Sequence, residues 1–379
     1  MKKRKRAGRA GLTAALLSCL CVATQYAQSP TWDKYGPATR YQATAVYDSA
    51  SDMMVVFGGQ HTTTSQDFSD LWWAPNITKS VCKPPCTLQW NHPAAKVNNI
   101  PPARFGHTAV YDSANTRMVV FGGAEGVSTP PPCANDVRVL EYATGIGGNP
   151  GWTELSPTGT PPAARYSHTA VYDPGTNVMI VFAGNNCSST YFNDVWVLQN
   201  ANGIGGTPAW SQLSPTGTPP VARAFTSAIY DEGSNRMIVF GGTNGTPRND
   251  VWALTNANGR GGTPSWIQLS PSGQPPAARY GHSAVYDSAN NRMIVYGGDT
   301  GKTYVGDTWV LANANGVGGT PSWTLTVSGT GNAPLRGMHT AIYDAASNQM
   351  IIFSGKLPSN VTGDPSDDHT YTLAAANGL

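Results

Sequence analysis

The sequence predicts an all-β fold, a six-bladed β-propeller whose blades are four-stranded antiparallel sheets. One motif, Arg-aromatic-x-His-Thr/Ser-Ala-Val/Ile-Tyr-Asp, recurs in six recognisable copies, which start at Arg40, Arg104, Arg165, Arg223, Arg279 and Arg336. Successive copies start 56 to 64 residues apart, a period typical of propeller blades with long loops. The composition of 42 Gly, 29 Pro and only 12% charged residues favours many short strands joined by turns over long helices.

Each unit supplies four strands, and the copy that starts at Arg279 illustrates them. A short β-rich run at residues 283–286 and a polar turn lead into an apolar run at 292–296 that ends on Gly297-Gly298. Residues 308–311 form the third run. An outer strand begins at a tryptophan in five places, Trp90, Trp152, Trp210, Trp266 and Trp323. Each of these lies 13 residues before the next Arg anchor, or 14 for Trp90, so the geometry between the strand and the next blade is fixed.

The two ends of the chain complement each other. Residues 31–33, Thr-Trp-Asp, match an outer strand with no first three strands before it, and residues 370–373 match a third strand with no outer strand after it. We therefore predict that the N-terminal strand joins the C-terminal blade. That arrangement closes the ring and covers two sheet edges that would otherwise invite aggregation.

These units resemble the kelch repeat family. The Arg-x-x-His start, the hydrophobic run into Gly-Gly and the spaced Tyr and Trp residues carry the resemblance, which covers about residues 31–373. It implies four-stranded propeller blades and, by fold, the superfamily of the galactose-oxidase-like central domain. The N-terminal segment described next makes the chain similar to exported kelch propellers of bacterial type.

The N-terminus has the order of a secretory signal peptide. A basic head, Lys2 to Arg6, precedes an apolar run at residues 12–23 and small residues around Ala23 and Ala27. The apolar run is too short to span a bilayer. We predict a signal peptide at residues 1–27, a single propeller domain at 28–379, and a secreted, extracellular or periplasmic location. The alternative is a lipoprotein signal that ends before Cys19, with the mature chain anchored by lipid on Cys19.

Charge and cysteine content follow from that processing. Residues 1–27 hold six Lys/Arg and no acid, which leaves 18 Lys/Arg against 22 Asp/Glu and a net charge of −4. No basic run remains, so a nucleic-acid partner has no electrostatic support. The remaining cysteines are an even set, as expected for disulfides in an exported chain: Cys82, Cys86, Cys133 and Cys187. Of the three possible pairings we favour Cys82–Cys86 with Cys133–Cys187, because the last two lie in equivalent loops of neighbouring repeats.

Most residues at repeated positions have a structural interpretation. The Gly doublets allow positive φ or close backbone approach, and the tryptophans are wedges between blades. His107, His168, His282 and His339 share one repeat position, which favours structural hydrogen bonds over a metal site, and we predict no metal and no cofactor. The six arginines pair with a carbonyl or carboxylate of their own or the next blade, or form a basic rim at the pore; Arg104, Arg165 and Arg279 are the ligand candidates under the second interpretation.

Recognition is expected at the loops that follow the doublets, since these differ between repeats. They lie at residues 60–68, 124–134, 185–192, 243–248, 299–305 and 356–367. The contact candidates are Tyr191, Phe192, Arg248, Lys302 and Tyr304. The near-identical loops at 200–208, 256–264 and 313–321, on the other face, have a structural interpretation.

We predict a monomeric, non-catalytic module that binds a protein or a polysaccharide through the variable loops. The resemblance leaves an enzyme as the alternative, because some kelch-like propellers are copper oxidases or sugar mutarotases. An oxidase needs a cross-linked Tyr–Cys pair with further Tyr and His ligands, and the cysteines here lie in loops. A mutarotase or lyase needs only a few acids at the pore, for which the variable loops offer Asp67, Glu125, Asp299 and Asp364.

Overall fold

The repeated motif folds into repeated antiparallel sheets. The computed structural model describes residues 37–79, 89–92, 97–126, 128–329, 334–358 and 370–379, and residues Tyr35–Leu379 form one compact unit. This unit is an all-β propeller of six blades, as the sequence predicts. Its one described helical turn is the 3₁₀ segment Glu232–Ser234. Among the described residues, no helix combines the length and apolar character needed to cross a bilayer.

The strands run in order from the inner to the outer edge of each blade. Blade one contains β1 (Arg40–Tyr41), β2 (Thr44–Asp48), β3 (Met53–Phe57), β4 (Gln60–His61) and β5 (Leu71–Pro75). Blade two contains β6 (Arg104–Phe105), β7 (Thr108–Asp112), β8 (Arg117–Glu125), β9 (Cys133–Glu141) and β10 (Gly151–Leu155). Blade three contains β11 (Thr169–Asp173), β12 (Val178–Phe182), β13 (Val195–Gln199) and β14 (Ala209–Leu213).

The remaining three blades follow the same pattern. Blade four contains β15 (Ser227–Asp231), β16 (Arg236–Phe240), β17 (Val251–Thr255) and β18 (Ser265–Leu269). Blade five contains β19 (Ser283–Asp287), β20 (Arg292–Tyr296), β21 (Thr308–Ala312) and β22 (Ser322–Val327). Blade six contains β23 (Thr340–Asp344), β24 (Gln349–Phe353) and β25 (Thr370–Ala374).

Two predicted outer strands lie partly or wholly outside the described residues. For the blade-one strand predicted at Trp90, the described residues show a bridge between Asn91 and Trp73 of the third strand. The outer strand predicted for blade six, at residues 31–33, lies outside the described residues. The domain start at residue 28 and the processing site near Ala27 also lie outside them.

The ring closes within the described residues. In each blade the second residue after the Arg anchor has positive φ, and its backbone N–H donates to the carbonyl of the equivalent residue in the preceding blade. These six hydrogen bonds, 2.6 to 3.0 Å long, form a closed circle through Gln42, Gly106, Ser167, Phe225, Gly281 and Met338. A closed circle of this kind encloses the propeller axis, so blades one and six are direct neighbours.

The core lies between the blades. A separate hydrophobic cluster fills each of the six interfaces. At five interfaces a tryptophan of one blade packs on the aromatic residue that ends the second strand of the preceding blade, with ring centroids 4.8 to 5.0 Å apart: Trp152–Phe57, Trp210–Phe121, Trp266–Phe182, Trp323–Phe240 and Trp90–Phe353. The prediction that the tryptophans are wedges between blades is confirmed.

The Gly doublets match the histidines of the next blade. A Cβ on Gly241 would lie 2.8 Å from His282 Cε1, closer than real Cβ contacts, and the same holds within 3.2 Å for Gly58–His107, Gly122–His168 and Gly297–His339. The doublet begins with a larger residue in two places, Ala183 and Ser354, and there the next blade carries Thr226 and Ala43 instead of histidine. Small and large residues therefore alternate across each interface in complementary pairs.

Candidate functional site

One end of the propeller axis is lined by aromatic rings. The rings come from five of the six blades, since blade six has Gly337 after its Arg anchor, and we call this end the axial mouth. Neighbouring rings lie 5.9 to 6.5 Å apart between centroids and form a belt of Tyr41, Phe105, Tyr166, Phe225 and Tyr280. In blade four the residue after the anchor is Ala224, and Phe225, one position later, supplies the ring. A cavity of ≈ 120 Å³ adjoins the belt, lined by residues of the closed hydrogen-bond circle and their neighbours.

The rim of the mouth is asymmetric. In every blade the residue after the Gly doublet pairs its backbone with the residue after the Arg anchor. The backbone therefore places one side chain per blade at the same rim position, and all six differ: Gln60, Ala124, Asn185, Thr243, Asp299 and Lys356. The six repeated blades thus hold six different side chains at the rim. These residues are also the first residues of the variable loops.

Hydrogen bonds tie the belt to the rim. The Tyr280 hydroxyl donates to Asp299 Oδ2 at 2.8 Å, and the Tyr41 hydroxyl donates to Gln60 Oε1. Gln60 in turn donates through Nε2 to Asp67 Oδ1 at 2.9 Å. Burial raises the pKa of Tyr41 to about 12, with the Asp67 charge as the next cause. The hydroxyls therefore stay protonated at neutral pH and act as donors.

Lys356 places a cation at the mouth. Its Nζ lies 4.3 Å from the centroid of the Tyr41 ring, a cation–π contact. Burial lowers the pKa of the Lys356 ammonium. Within the described parts of the chain no carboxylate lies within ion-pair distance of it. A half-buried ammonium with this surrounding has hydrogen-bonding capacity left for a ligand.

Two carboxyl groups lie close to the belt at blades one and two. Burial raises the pKa of Asp67, and burial also raises the pKa of Glu125 against the opposing charge of Arg104. Glu125 Oε1 lies 2.7 Å from Arg104 Nη2, and the Asp67 charge contributes to the raised pKa of Glu125.

The repeated arginines are structural. The Arg104, Arg165 and Arg279 side chains are 0% exposed. Each guanidinium forms a two-pronged ion pair with an aspartate of its own blade that lies just before the third strand or, for Asp136, within it; Arg40 and Arg223 do the same. The interpretation as carboxylate pairs is therefore confirmed. The expectation that Arg104, Arg165 and Arg279 contact a ligand is not supported by their position, because the guanidinium groups lie inside the blades.

The other predicted contact residues divide into two groups. Tyr191 and Tyr304 lie near the mouth, because the hydroxyl groups of both tyrosines contribute electrostatically to the raised pKa of Tyr280. The Tyr304 ring also packs against Gly337. Lys302 is exposed in the loop that precedes Tyr304. Phe192 instead covers the guanidinium of Arg165 at 4.3 Å. Arg248 donates to Asn244 of its own loop at 3.2 Å.

A disulfide joins two of the variable loops. Cys133 in blade two is bonded to Cys187 in blade three, with Cα atoms 5.6 Å apart. The pair packs with Phe105, Ala124 and Tyr166, so it holds two blades together beside the belt. Cys82 and Cys86 lie outside the described residues, as does Asp364.

The four repeated histidines form inter-blade hydrogen bonds. Each Nε2 lies 2.7 or 2.8 Å from a hydroxyl at the start of the preceding blade, in the pairs His107–Thr44, His168–Thr108, His282–Ser227 and His339–Ser283. The structural interpretation is confirmed, because each imidazole has its own partner. In the described part of the chain no three His, Cys, Asp or Glu side chains converge on a common point suited to a metal ion.

Sequence reasoning missed most of the mouth. Tyr41, Tyr280 and Lys356 did not stand out, because the aromatic residue after the anchor belongs to the repeat. One signal could have found them. The aromatic residue after the anchor lies at the entry to the strand nearest the axis, and it pairs with a rim residue that differs in every copy.

This geometry defines a class, the kelch propeller. The model of the KLHDC2/KLHL20/DRC7 Kelch-repeats domain matches residues 7–144, 81–255 and 261–375. The chain belongs to the kelch-repeat family.

Individual relatives are more distant. The chain is 30% identical over 295 residues to host cell factor 2 of Homo sapiens, which covers 72% of this chain and 33% of that protein. It is 31% identical over 223 residues to the Rab9 effector protein with kelch motifs of Xenopus laevis, covering 56% of this chain and 54% of that protein. The solved structure of YjhT aligns with a TM-score of 0.60 at 14% identity, covering 90% of this chain and 99% of that one, which shows the fold alone. The chain thus spans between a third and about half of these two relatives.

Proposed function

We propose that this protein is a monomeric, non-catalytic recognition module that binds a partner protein at the axial mouth and its surrounding variable loops. The observation that carries the proposal is the asymmetric rim: six equivalent backbone positions present six different side chains beside a belt of five aromatic rings. Structural needs repeat with the blades, whereas a ligand site needs different groups in defined places.

The chemistry of the mouth suits a polypeptide surface. Aromatic rings supply large, rigid contact area at low entropic cost, and they are enriched where proteins bind tightly. Lys356 and Asp299 add opposite charges on neighbouring blades, which fix the orientation of a partner. The relatives support the proposal, since one of them is named as an effector of Rab9.

A polysaccharide ligand is the second candidate. The belt of five rings favours it, since sugar rings stack on aromatic faces, and Asp67 and Glu125 have raised pKa values. Those two carboxyl groups are also where a mutarotase-like or lyase-like activity would reside. Under this second candidate, Asp67→Asn and Glu125→Gln should abolish turnover of a sugar.

We further propose that recognition takes place outside the cytoplasm. The basic head and apolar run at residues 1–27 support export, and the Cys133–Cys187 disulfide suits an oxidising compartment. Mass spectrometry of the mature N-terminus tests this proposal. A chain that begins at Gln28 supports cleavage after Ala27, a lipid on Cys19 supports the anchored alternative, and an intact Met1 in the cytosolic fraction contradicts both.

A thermal-shift panel tests the binding proposal. The full chain is heated with pooled peptides, monosaccharides and polysaccharides, each with and without EDTA, copper or calcium. A ligand that binds the folded state raises the melting temperature. A saturable shift with a peptide that is lost in Lys356→Ala supports the protein partner, and the same loss with a sugar supports the second candidate. A shift that depends on copper would contradict the non-catalytic proposal.

A further inference from the structure

The face opposite the axial mouth, which we call the back face, carries exposed aliphatic side chains at one repeat position. In blades two to six the segment after the third strand contains Asn-Gly-x or Thr-Gly-x, and the residue after glycine is exposed in all five. The aliphatic members, which we call the back-face tips, are Ile146 (54% exposed), Ile204 (39%), Val317 (46%) and Leu379 (65%). Single exposed aliphatic residues are common on proteins. Four of them at equivalent positions of different blades, however, form a regular pattern.

The tips are held in place by a rigid base. Asn202 donates through Nδ2 to the buried Asp112 of the preceding blade at 2.6 Å, and its Oδ1 accepts the Ile204 N–H at 2.8 Å. The Ile204 carbonyl accepts a bond from Asn177 at 2.9 Å. The same contacts recur at Asn315, which bonds Asp231 and the Val317 N–H. Exposure of the tips is therefore a property of an ordered loop.

The glycines that follow the tips have almost no neighbouring atoms. A Cβ added at Gly318 would have no atom within 4 Å, and one at Gly205 would meet only Asn200 at 3.8 Å. Equivalent positions on a rotationally repeating ring lie in one plane across the axis. The tips therefore form a flat array in which each member belongs to a different blade, so a planar surface can touch all of them together.

Cations accompany the tips. In blade four the tip position is taken by Arg260, which is exposed. On the corresponding loop of blade one the Lys79 side chain is 75% exposed, with its Nζ 3.9 Å from Asp52 Oδ2. Arg236 donates to the Asn315 carbonyl at 2.8 Å beneath the Val317 tip. Five of the six strand-end aspartates of this face are buried, such as Asp112, which is 3% exposed and hydrogen-bonded. Asp231 is half-buried, and Glu232 in the turn that follows it is exposed. Aliphatic tips flanked by Lys and Arg are the pattern that binds anionic lipid surfaces.

We propose that the back face docks peripherally on a bilayer that contains anionic lipids. The aliphatic tips enter the headgroup region and the cations contact lipid phosphates. Because the axial mouth lies at the other end of the axis, a docked propeller presents its variable loops away from the membrane. The inference does not depend on the identity of the ligand at the mouth.

The test compares the full chain with a tip variant, Ile146→Ser/Ile204→Ser/Val317→Ser, by sedimentation with vesicles of phosphatidylcholine and phosphatidylglycerol. The matched control is Ile267→Ser/Leu325→Ser, since these outer-strand residues are 41% and 44% exposed but lie away from the tips. All versions share residues 1–36, so any contribution of that segment is constant. We expect the partition coefficient to fall at least about tenfold in the tip variant and to stay within about twofold in the control.

Hydrogen exchange of the full chain supplies a local measurement. On addition of the vesicles, peptides that contain Ile146, Ile204 or Val317 should exchange more slowly, and peptides from the mouth loops should not change. Equal partitioning of tip variant and wild type, or unchanged exchange at the tips, overturns the proposal. A tip-dependent change of oligomeric state without vesicles overturns it as well, because a second copy of the chain would then cover this face.

Discussion

Arg165 and Asp194 form a two-pronged ion pair inside blade three, with Nη1–Oδ1 at 2.7 Å and Nη2–Oδ2 at 2.9 Å. The same guanidinium donates to the carbonyls of Ala183 and Ala163, and Asp194 also accepts Trp196 Nε1 at 2.7 Å. Burial alone would raise the pKa of Asp194, but the hydrogen bonds and charge of Arg165 outweigh it and lower that pKa. One arginine thus connects the strand entry, the doublet and the third strand.

Breaking that pair should destabilise the fold strongly. Asp194→Asn preserves shape but leaves the Arg165 guanidinium, 0% exposed, without its counter-charge. We expect the free energy of unfolding in urea to fall by about 3 kcal/mol or more. The control is Lys79→Ala, which removes a 3.9 Å pair with a largely exposed lysine and should cost less than about 0.5 kcal/mol. Equal effects of the two changes would contradict the structural role of the repeated arginine.

The complementary Gly–His pairs predict a coupled response. Gly241→Ala places a Cβ 2.8 Å from His282 Cε1, and His282→Ala removes a buried ring together with its bond to Ser227. Each change alone should destabilise. The double variant mimics the natural Ser354–Ala43 combination and relieves the contact with His282, although the 2.8 Å contact with the Arg279 carbonyl remains. A double-mutant cycle of urea unfolding should give a favourable coupling of about 1 kcal/mol. If the effects of the two substitutions on the free energy of unfolding were strictly additive, the paired replacements Ala183–Thr226 and Ser354–Ala43 would not reflect a steric coupling between these positions.

The buried histidines predict acid sensitivity. Burial, with the nearby Arg104 or Arg279 charge as the next cause, lowers the pKa of His107 and of His282 to about 3. In the unfolded chain these two histidines are protonated near pH 6.5. The stability that the neutral buried imidazoles contribute is therefore complete above that pH and is lost as the pH falls toward about 3. Each histidine contributes a slope of up to about 1.4 kcal/mol per pH unit.

The variant His282→Thr isolates one such contribution, because blade four carries Thr226 at this position. Urea unfolding between the two pKa values should show a shallower pH dependence for the variant, by about one proton. An identical slope in variant and wild type would mean that His282 is protonated in the folded state.

Loss of the Cys133–Cys187 disulfide should loosen the junction of blades two and three. The bond closes a loop with a sequence separation of 54, for which chain entropy gives a stabilisation of about 4 kcal/mol as an upper value. Cys133→Ser/Cys187→Ser should lower the free energy of unfolding by about 2–4 kcal/mol. Wild type treated with a reductant should match the variant; unchanged stability in both would show that the bond does not form in solution.

The blades were predictable from the sequence, and the mouth was not. The runs predicted at 283–286 and 308–311 are the strands Ser283–Asp287 and Thr308–Ala312, because apolar alternation and turn residues are local signals. The outer strand predicted at Trp90 is described only in part: Asn91 pairs with Trp73 of the third strand, and the Trp90 ring packs on Phe353.

The geometry of the mouth could not be read from the sequence for a different reason. The arginines repeat as a ligand rim would, yet their burial depends on aspartates about 30 residues downstream, which spacing alone does not pair with them. Lys356 has no distinguishing feature in the sequence. Closure of the propeller brings it into contact with Tyr41, which is more than 300 residues earlier in the chain. Phe225 fills the belt from a shifted position, which a position-by-position comparison of repeats does not reveal.

The central claim is that the axial mouth binds the ligand, and a selection from a phage-displayed peptide library tests it most directly. Wild type is compared with the mouth variant Tyr280→Ala/Lys356→Ala and with the outer-strand control Ile267→Ser. We predict that peptides selected on wild type lose at least about tenfold in affinity for the mouth variant and bind the control unchanged. Selected peptides that bind the mouth variant as tightly as wild type would contradict the claim.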